Sequence, residues 1–457
     1  MIVMKFGGTS VRNARAMSAV AEIVAAARPR KPLVVVSAVS GATDILLKAA
    51  FAAGEGQGKD AGAAVAALHE RHVGIADDIA PAGEAPALRA AIEREIEELA
   101  LLLRSVSTLG ELTPRSLDAA AAFGERLSSH LVAAAMRKRG LPAERVDSRS
   151  FVVTDEAFTS AAPDTDATRT RCRTMLLPLL DAGTVPVAQG FIGATPAGVT
   201  TTLGRGGSDY SAALLGAALD AETIQIWTDV DGLMTTDPRV VPGARRIRVA
   251  SFDEAAELAY FGAKVLHPAT VLPAVESGIP VEIRNTLNPA CEGTRIVPVA
   301  PPSRSPVKSI AFKRGVTLVN VTSTRMLMAF GFLRALFEVF DRHRTSVDVV
   351  TTSEVSVSVT LDRTERLDEI RRDLGAFGQV SVESAQAIVC VVGANLKSTP
   401  GVVARIFGAL GPAELRMISQ GASEINLTFV IEEREVDGVV RRLHEEFFGD
   451  ADPEVFA

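Results

Sequence analysis

Met4-Lys5-Phe6-Gly7-Gly8-Thr9-Ser10, reached from the chain start through Ile2-Val3, decides how the rest of the sequence is read. Ile2-Val3-Met4 is a short apolar run of the kind buried in a sheet. Two glycines, two hydroxyls and a helical run from Val11 to Ala27 follow. Strand, Gly-Gly turn, hydroxyl N-cap and helix would bring backbone N–H groups and a helix N-terminus to one point, which attracts anions, phosphate above all. Lys5 adds a full positive charge at the strand's end. The spacing is neither the G-x-x-x-x-G-K-[ST] of a P-loop nor the G-x-G-x-x-G of a dinucleotide site. The same residues also suit an ordinary strand-to-helix turn with a surface lysine.

Working outward, Leu33-Val34-Val35-Val36-Ser37 is a second buried strand, and it runs into the hydroxyl-rich turn Ala38-Val39-Ser40-Gly41-Ala42-Thr43. Two such strands with a helix between them make a βαβ unit, whose ligands sit at the strands' carboxyl ends. Ser37 and Thr43 are candidate ligand hydroxyls, or plain turn residues. Thr184 to Phe191 is another strand ending in glycine, and Gly204-Arg205-Gly206-Gly207-Ser208-Asp209 is a second glycine loop opening onto a helix, Ser211 to Leu219. Arg205 offers a planar fork that matches a carboxylate bidentately. Thr223 to Trp227 reads as a strand, with Thr228-Asp229-Val230-Asp231-Gly232 and Met234-Thr235-Thr236-Asp237-Pro238-Arg239 beyond it suiting a nucleoside with its phosphates. Ser251 to Glu254 opens a helix with a hydroxyl cap. In Phe261-Gly262-Ala263-Lys264-Val265-Leu266-His267-Pro268, Lys264 lies beside a glycine and His267 suits a core position. Val281 to Asn285 reads as the last strand of this part.

Between the glycine loops, residues 52 to 115 look helical, with Leu88, Ile92, Ile96, Leu99 and Leu103 forming one apolar stripe. Ala119 to Arg139 reads as one buried helix. Glu125 within it must be paired, with Arg126 or another neighbour, or must face a cavity, because an unpaired buried carboxylate is costly.

At 457 residues the chain has room for two or three domains. A net charge of −7 argues against general nucleic-acid binding and confines any anion site to a local cluster. Three cysteines without C-x-x-C spacing fit a reducing, cytoplasmic setting and no structural zinc. His69 and His72 have metal-ligand spacing but fall on a helix expected to be solvated. No signal peptide and no membrane-spanning run is expected.

Pro298 to Pro306 holds four prolines in nine residues and reads as a linker. Beyond it the sequence repeats with an offset of 70: Val319-Asn320-Val321 with Val389-Cys390-Val391, Gly331 with Gly401, and Ser353-Glu354 with Ser423-Glu424. Each copy reads strand, glycine-led helix, strand, Ser-Glu turn, alternating strand, giving two small βαββ-type modules.

Lys5-Phe6-Gly7-Gly8-Thr9-Ser10, Gly204 to Asp209, Trp227-Thr228-Asp229-Val230, Thr235 to Arg239 and Phe261 to Pro268 together resemble aspartate kinase, in that family's order and spacing, and the tail resembles its paired ACT domains. Thr345 to Asp348 and Thr351 to Ser356 look most like the single-function, lysine-sensitive class. The resemblance implies an α/β amino-acid-kinase fold, a mostly parallel sheet between helix layers, over residues 1–297, a linker over 298–308, and two ferredoxin-like ACT domains over 309–385 and 386–457. It implies transfer of the ATP γ-phosphoryl group to the β-carboxylate of L-aspartate, with Mg²⁺ bridging the phosphates. Lys5 and Asp209 would be catalytic. Ser37, Thr43, Glu125, Phe191, Arg205 and Ser208 would bind aspartate, with Glu125 on its ammonium and Arg205 on a carboxylate. Lys5, Gly7, Gly8, Thr228, Asp229, Met234, Arg239 and Lys264 would bind ATP, with Gly7 and Gly8 donating N–H groups. Met234 stands where the family often has Tyr. An amino-acid effector, lysine or threonine, would meet Met326, Gly331, Phe332, Ser346, Val347, Asp348, Ser353 and Glu354, with Asp348 and Glu354 on its ammonium groups. Met328 and Phe330 depart from the polar or basic residues of lysine-sensitive relatives. A homodimer or larger assembly is implied, and the length leaves no room for a fused homoserine dehydrogenase. A kinase of the same fold acting on N-acetylglutamate, or a silent amino-acid sensor, are the alternatives.

Overall fold

In the computed structural model the strands are, in chain order, β1 (Ile2–Phe6), β2 (Pro32–Val36), β3 (Ala143–Val146), β4 (Val185–Gln189), β5 (Ile192–Ala194), β6 (Thr200–Thr202), β7 (Thr223–Thr228), β8 (Val249–Ser251), β9 (Val281–Asn285), β10 (Thr294–Val297), β11 (Ser309–Thr322), β12 (Val350–Thr352), β13 (Ser356–Leu361), β14 (Gln379–Val392), β15 (Met417–Gln420) and β16 (Asn426–Glu432). The helices are α1 (Ala14–Ala27), α2 (Ala42–Gly54), α3 (Gly58–Ile79), α4 (Ala85–Leu109), α5 (Pro114–Ala121), α6 (Phe123–Lys138), α7 (Thr165–Asp181), α8 (Gly207–Ala218), α9 (Phe252–Phe261), α10 (Leu272–Glu276), α11 (Phe332–Arg342), α12 (Leu367–Leu374), α13 (Val402–Ala409) and α14 (Val436–Phe448). The structure describes residues 1–261, 268–301, 305–327, 329–449 and 452–457. Lys264, His267 and Met328 lie outside the described residues, as does part of the proline-rich stretch. No helix among the described residues is long and apolar enough to cross a membrane.

The chain divides into two units: Met1–Gly232, Val249–Phe252 and Val265–Ala300 in the first, and Leu233–Arg248, Asp253–Lys264 and Pro301–Ala457 in the second. The first unit is built on an eight-stranded sheet of order β3-β4-β2-β1-β7-β9-β10-β8. Six strands are parallel; β10 runs against β9, and β8 follows β10. The expected last strand is therefore followed by an antiparallel edge that its short sequence did not announce.

Strand alternation sorts the side chains of β1. Ile2, Met4 and Phe6 enter the core with Met17 and Val20 of α1, Leu127 and Leu131 of α6, and the stripe Leu88, Ile92, Ile96, Leu99 and Leu103 of α4. Lys5 points to the opposite face, where α8 lies, and pairs with Asp209 in the first turn of that helix.

Three local expectations are corrected here. The buried run 119–139 is two helices, because the chain breaks at Ala122 between α5 and α6. Helix α1 starts at Ala14, where the Asn13 side chain accepts the N–H of Ala16, so neither Thr9 nor Ser10 is its cap. His72 is buried rather than solvated; its Nδ1 meets the Leu68 carbonyl at 2.7 Å, and burial pushes its pKa down to about 4.

The second unit holds a six-stranded antiparallel sheet of order β12-β13-β11-β14-β16-β15. The repeat extends past the expected βαββ to a second helix in each copy, α12 and α14. The copies also share strands. The second half of β11 pairs with β13, whereas its first half, Ser309–Lys313, pairs with Ile388–Val392 of β14 beside β16. Strand β14 runs unbroken past residues 385 and 386, with Ala385 at φ 56°. Val319, Val321, Leu336, Phe340, Val357 and Ile370 form the first module's core.

Candidate active site

The register of the first sheet aligns four loops at one edge. Phe6 pairs with Val36 and Trp227, and Val36 with Gln189, so the turns after β1, β2, β4 and β7 start side by side. They enclose a cleft of about 720 Å³ lined by Lys5, Gly7, Gly8, Ser37, Thr43, Glu125, Phe191, Arg205, Ser208, Asp209, Thr228 and Asp229. Twelve residues chosen from the sequence thus meet in one place.

Two helix N-termini border the cleft. Helix α8 follows Gly206 (φ 70°) and α2 follows Gly41 (φ 79°), each without a side-chain cap. The Gly207 and Asp209 N–H groups go to the Gly204 and Gly206 carbonyls and the Ala42 N–H to the Val39 carbonyl, which leaves the amides of Ser208, Thr43 and Asp44 for an anion, where the helix dipoles favour negative charge. Close packing at the loop's base requires glycine. A Cβ on Gly207 would lie 2.6 Å from the Phe191 ring, and one on Gly190 2.6 Å from Ser208. Phe191 itself is held at φ 67°, a sparsely populated conformation of the sort that collects at functional sites.

The charged groups are arranged for two anionic partners. Lys5 Nζ lies 2.6 Å from Asp209 Oδ1, with both side chains mostly shielded. Glu125 is buried, and its Oε2 has no hydrogen-bond partner among the described residues. Burial raises its pKa to about 8, against the pull of hydrogen bonds from the Ala38 and Glu125 backbone and of the Lys5 charge. The expected alternative, an ion pair with Arg126, does not form: Arg126 pairs with Glu95 and Glu98 instead. Gly124 lets α6 approach so closely that a Cβ there would sit 2.7 Å from the Ala38 Cβ, which brings Glu125 against the turn after β2. Ser128 donates to the Ser37 carbonyl at 2.7 Å and fixes the same turn.

One assigned role changes. The Gly7 N–H donates to the Trp227 carbonyl at 3.1 Å and is spent on the sheet edge, so Gly8 is the turn's remaining donor toward the cleft.

Residues 1–285 match the profile of the amino acid kinase family, and residues 389–447 match an ACT domain. The lysine-sensitive aspartokinase 3 of Escherichia coli K12 is 39% identical over 98% of this chain and 99% of its own. The chain belongs to the aspartokinase family. Aspartokinase 2, chloroplastic, of Arabidopsis thaliana is 37% identical, covering 99% of this chain and 85% of that one. Among solved structures, E. coli aspartokinase III in complex with aspartate and ADP superposes with a TM-score of 0.82 at 39% identity, over 98% of this chain and 100% of that chain. The same enzyme with lysine and aspartate gives 0.86 over 98% and 99%.

In this family member Met234 and Arg239 belong to the second unit, Arg239 forming an exposed ion pair with Asp237. Sequence reasoning missed Thr9, Ser40, Gly41 and Asp44, which also line the cleft. Gly41 preceding an apolar helix was the available signal for α2.

The residues singled out for an effector all fall in the first ACT module. Gly331 (φ 78°) precedes α11, Phe332 stacks edge-on against Phe377 at 5.8 Å, and Val347 packs on the module core. Met326 is half-buried, whereas Ser346, Ser353 and Glu354 are exposed, with Ser353 Oγ 2.7 Å from Ser356 Oγ. Phe330 is fully exposed. Asp348 is already occupied: Lys313 Nζ lies 2.8 Å from its Oδ2 and the Tyr260 hydroxyl donates to its Oδ1 at 2.9 Å. Burial works against the Lys313 charge, but its hydrogen bonds to Asp348 and Asp362 outweigh that and raise its pKa.

Proposed function

We propose that the first unit transfers the ATP γ-phosphoryl group to the β-carboxylate of L-aspartate, and that the ACT modules restrain it when an end-product amino acid, lysine in first place and threonine second, binds to the first module. The observation that carries the reading is a buried Glu125 whose Oε2 has no hydrogen-bond partner among the described residues, in the same cleft as Lys5 and the Arg205 loop. An amino acid carries an ammonium group that such a carboxylate lacks, and a carboxylate that Arg205 can fork. Its β-carboxylate is already ionised, so the reaction needs no general base; it needs two anions held in line and their charge neutralised.

Lys5, aimed by Asp209, neutralises the transferring group. Gly8 and the open first turns of α2 and α8 bind phosphate oxygens, and Thr228 and Asp229 hold the nucleotide. Ser37, Thr43, Phe191 and Ser208 shape the aspartate side. Met234, Arg239 and Lys264 join the nucleotide site on the family resemblance alone. No group of three metal-ligating side chains occurs among the described residues. Mg²⁺ would be carried in on the phosphates with most of its waters. The solved E. coli relative with aspartate and ADP supports the ligand pair, and the one with lysine supports the effector. We also infer a cytoplasmic homodimer or larger assembly, supported by three free cysteines and by exposed Leu327, Phe330 and Leu333 around the start of α11.

The test is coupled ADP release with aspartate against N-acetylglutamate, followed by inhibition with lysine, threonine and methionine. Turnover of aspartate only, slowed by lysine, is expected. Preference for N-acetylglutamate, which lacks the ammonium group, would overturn the role of Glu125 and the substrate with it.

A further inference from the structure

Asp118 sits in α5, the helix immediately before the one that carries Glu125, and is 1% exposed. None of the chemistry above uses it. Its Oδ2 accepts the N–H groups of Thr159 and Thr202, both at 2.9 Å, and its Oδ1 accepts the Thr202 hydroxyl at 2.7 Å. Thr202 ends β6, and the chain then turns through Gly204 (φ 76°) and Arg205 to Gly206, the residue before α8. Thr159 is β-branched yet held at φ 74°, which the surroundings must enforce. Its carbonyl would lie 3.2 Å from a Cβ on Gly204, so it packs directly under the loop. The N–H of Ala161 donates to the Thr202 carbonyl at 2.9 Å, so the turn at 159–161 and the end of β6 support the Arg205 loop together.

One carboxylate therefore fastens both segments of that support to α5. From α5 the chain passes through Ala122 alone into α6, with Glu125 in its first turn. An amino acid offers its ammonium and its carboxylate at a fixed separation, and a site that grips both needs its two grips at a matching span. We propose that Asp118 is a positioning residue that sets the span between Glu125 and the Arg205 loop, and through it the affinity for the acidic amino acid. The identity of that ligand rests on the kinase reading; the positioning of the loop does not.

Three variants of the full chain test this. Asp118→Ala should raise KM for aspartate about tenfold or more while KM for ATP stays within about twofold. Asp118→Asn keeps an oxygen for the two N–H groups and gives Thr202 Oγ1 a donor, so it should remain within about threefold of the parent. Thr202→Val removes a single hydrogen bond, should fall between them, and serves if Asp118→Ala does not fold. Without any substrate, hydrogen exchange at the amides of residues 203–208 should speed up in Asp118→Ala and Thr202→Val. Unchanged exchange there, an unchanged aspartate KM, a parallel rise of both KM values, or an Asn variant as impaired as the Ala variant would overturn the assignment. If the parent does not phosphorylate aspartate but the loop loosens as expected, the kinase reading fails and the positioning stands.

Discussion

The two glycine turns of the cleft look alike in sequence and are built differently. After Gly7-Gly8 the helix starts only at Ala14 and is closed by the Asn13 side chain, and neither Asn13 nor Ala14 lines the cleft. The Ser10 hydroxyl expected to cap it is buried, 2.7 Å from Thr286 Oγ1 and donating to the Trp227 carbonyl. After Gly204–Gly206 the helix starts at once, with no side chain on its first amides. Helix α2, which also borders the cleft, is likewise left open behind a left-handed glycine. A helix end that carries its own cap is finished; one that follows a glycine and carries none still needs a partner. The first turn contributes Lys5 and close backbone approach, while the second contributes a dipole and Arg205. Gly331 and Gly401 precede α11 and α13 in the same left-handed conformation, again with no side-chain cap.

The largest effect should come from the first turn's single charge. Lys5→Ala removes a cation that counts most when charge moves toward the leaving group, and the barrier should rise by about 3–4 kcal/mol, as for other preorganised donors. Turnover measured at saturating aspartate and ATP should drop accordingly with the fold intact. A near-parental kcat would shift the burden of neutralisation to the open helix ends of the second turn and reverse the comparison.

Next in size is Glu125→Gln, which touches the span between the turns. The Glu125 pKa rises from 4.5 to about 8 because burial disfavours its charge. Between these values the folded chain holds a proton that the unfolded chain has released, so stability falls as pH rises through that window, and the penalty is complete above it. Glutamine carries no such penalty. The variant should match the parent near pH 4 and exceed it at pH 9 by a few kcal/mol, at about 1.4 kcal/mol per pKa unit as an upper rate. Denaturant unfolding at the two pH values reads this directly. Aspartate affinity should move the other way, since the variant loses its ammonium acceptor; in the parent, KM for aspartate should fall as pH approaches 8. Equal stability differences at both pH values would mean that Glu125 is not a buried acid.

How much of this was legible follows from the range of the interactions. Short apolar runs and glycine turns are local signals, so the strands β1, β2, β4 and β7 and the cleft residues at their ends could be read directly, as could the 70-residue repeat. Asn13 was passed over because Ser10 competes for the same role, and the choice depends on Thr286 far along the chain. The exposure expected of His72 failed because α3 is covered by α4, a packing that its mixed composition does not reveal. The half-strand Ser309–Lys313 could not be assigned to the second module from sequence, since its partner lies beyond the whole first copy. Asp118 carried no motif at all; only its three hydrogen bonds to Thr159 and Thr202 give it meaning.

A pair of glycine variants sharpens the contrast between the turns. Gly207→Ala drives a methyl to 2.6 Å from the Phe191 ring and 3.2 Å from its Cα, and overpacking of this kind costs about 1–3 kcal/mol. Gly7→Ala meets nothing nearer than 3.6 Å and should cost less than about 0.5 kcal/mol. Thermal unfolding of the two proteins should rank them in that order.

The smallest effect asks whether the capped helix is as inert as its cap suggests. Asn13 lies outside the cleft, and its side chain takes the N–H of Ala16 at 2.9 Å. Asn13→Ala should lower stability by about 1 kcal/mol, the usual cost of losing such a cap. Because the freed amide turns to water rather than to a ligand, KM for ATP and for aspartate should not move. Phosphate bound at the first turn would be held by Lys5 and Gly8, and a capping defect five residues beyond Gly8 would be invisible to it. If Asn13→Ala instead weakened ATP binding in proportion to its loss of stability, the dipole of α1 would reach the nucleotide after all, and the two turns would be variants of one device rather than two.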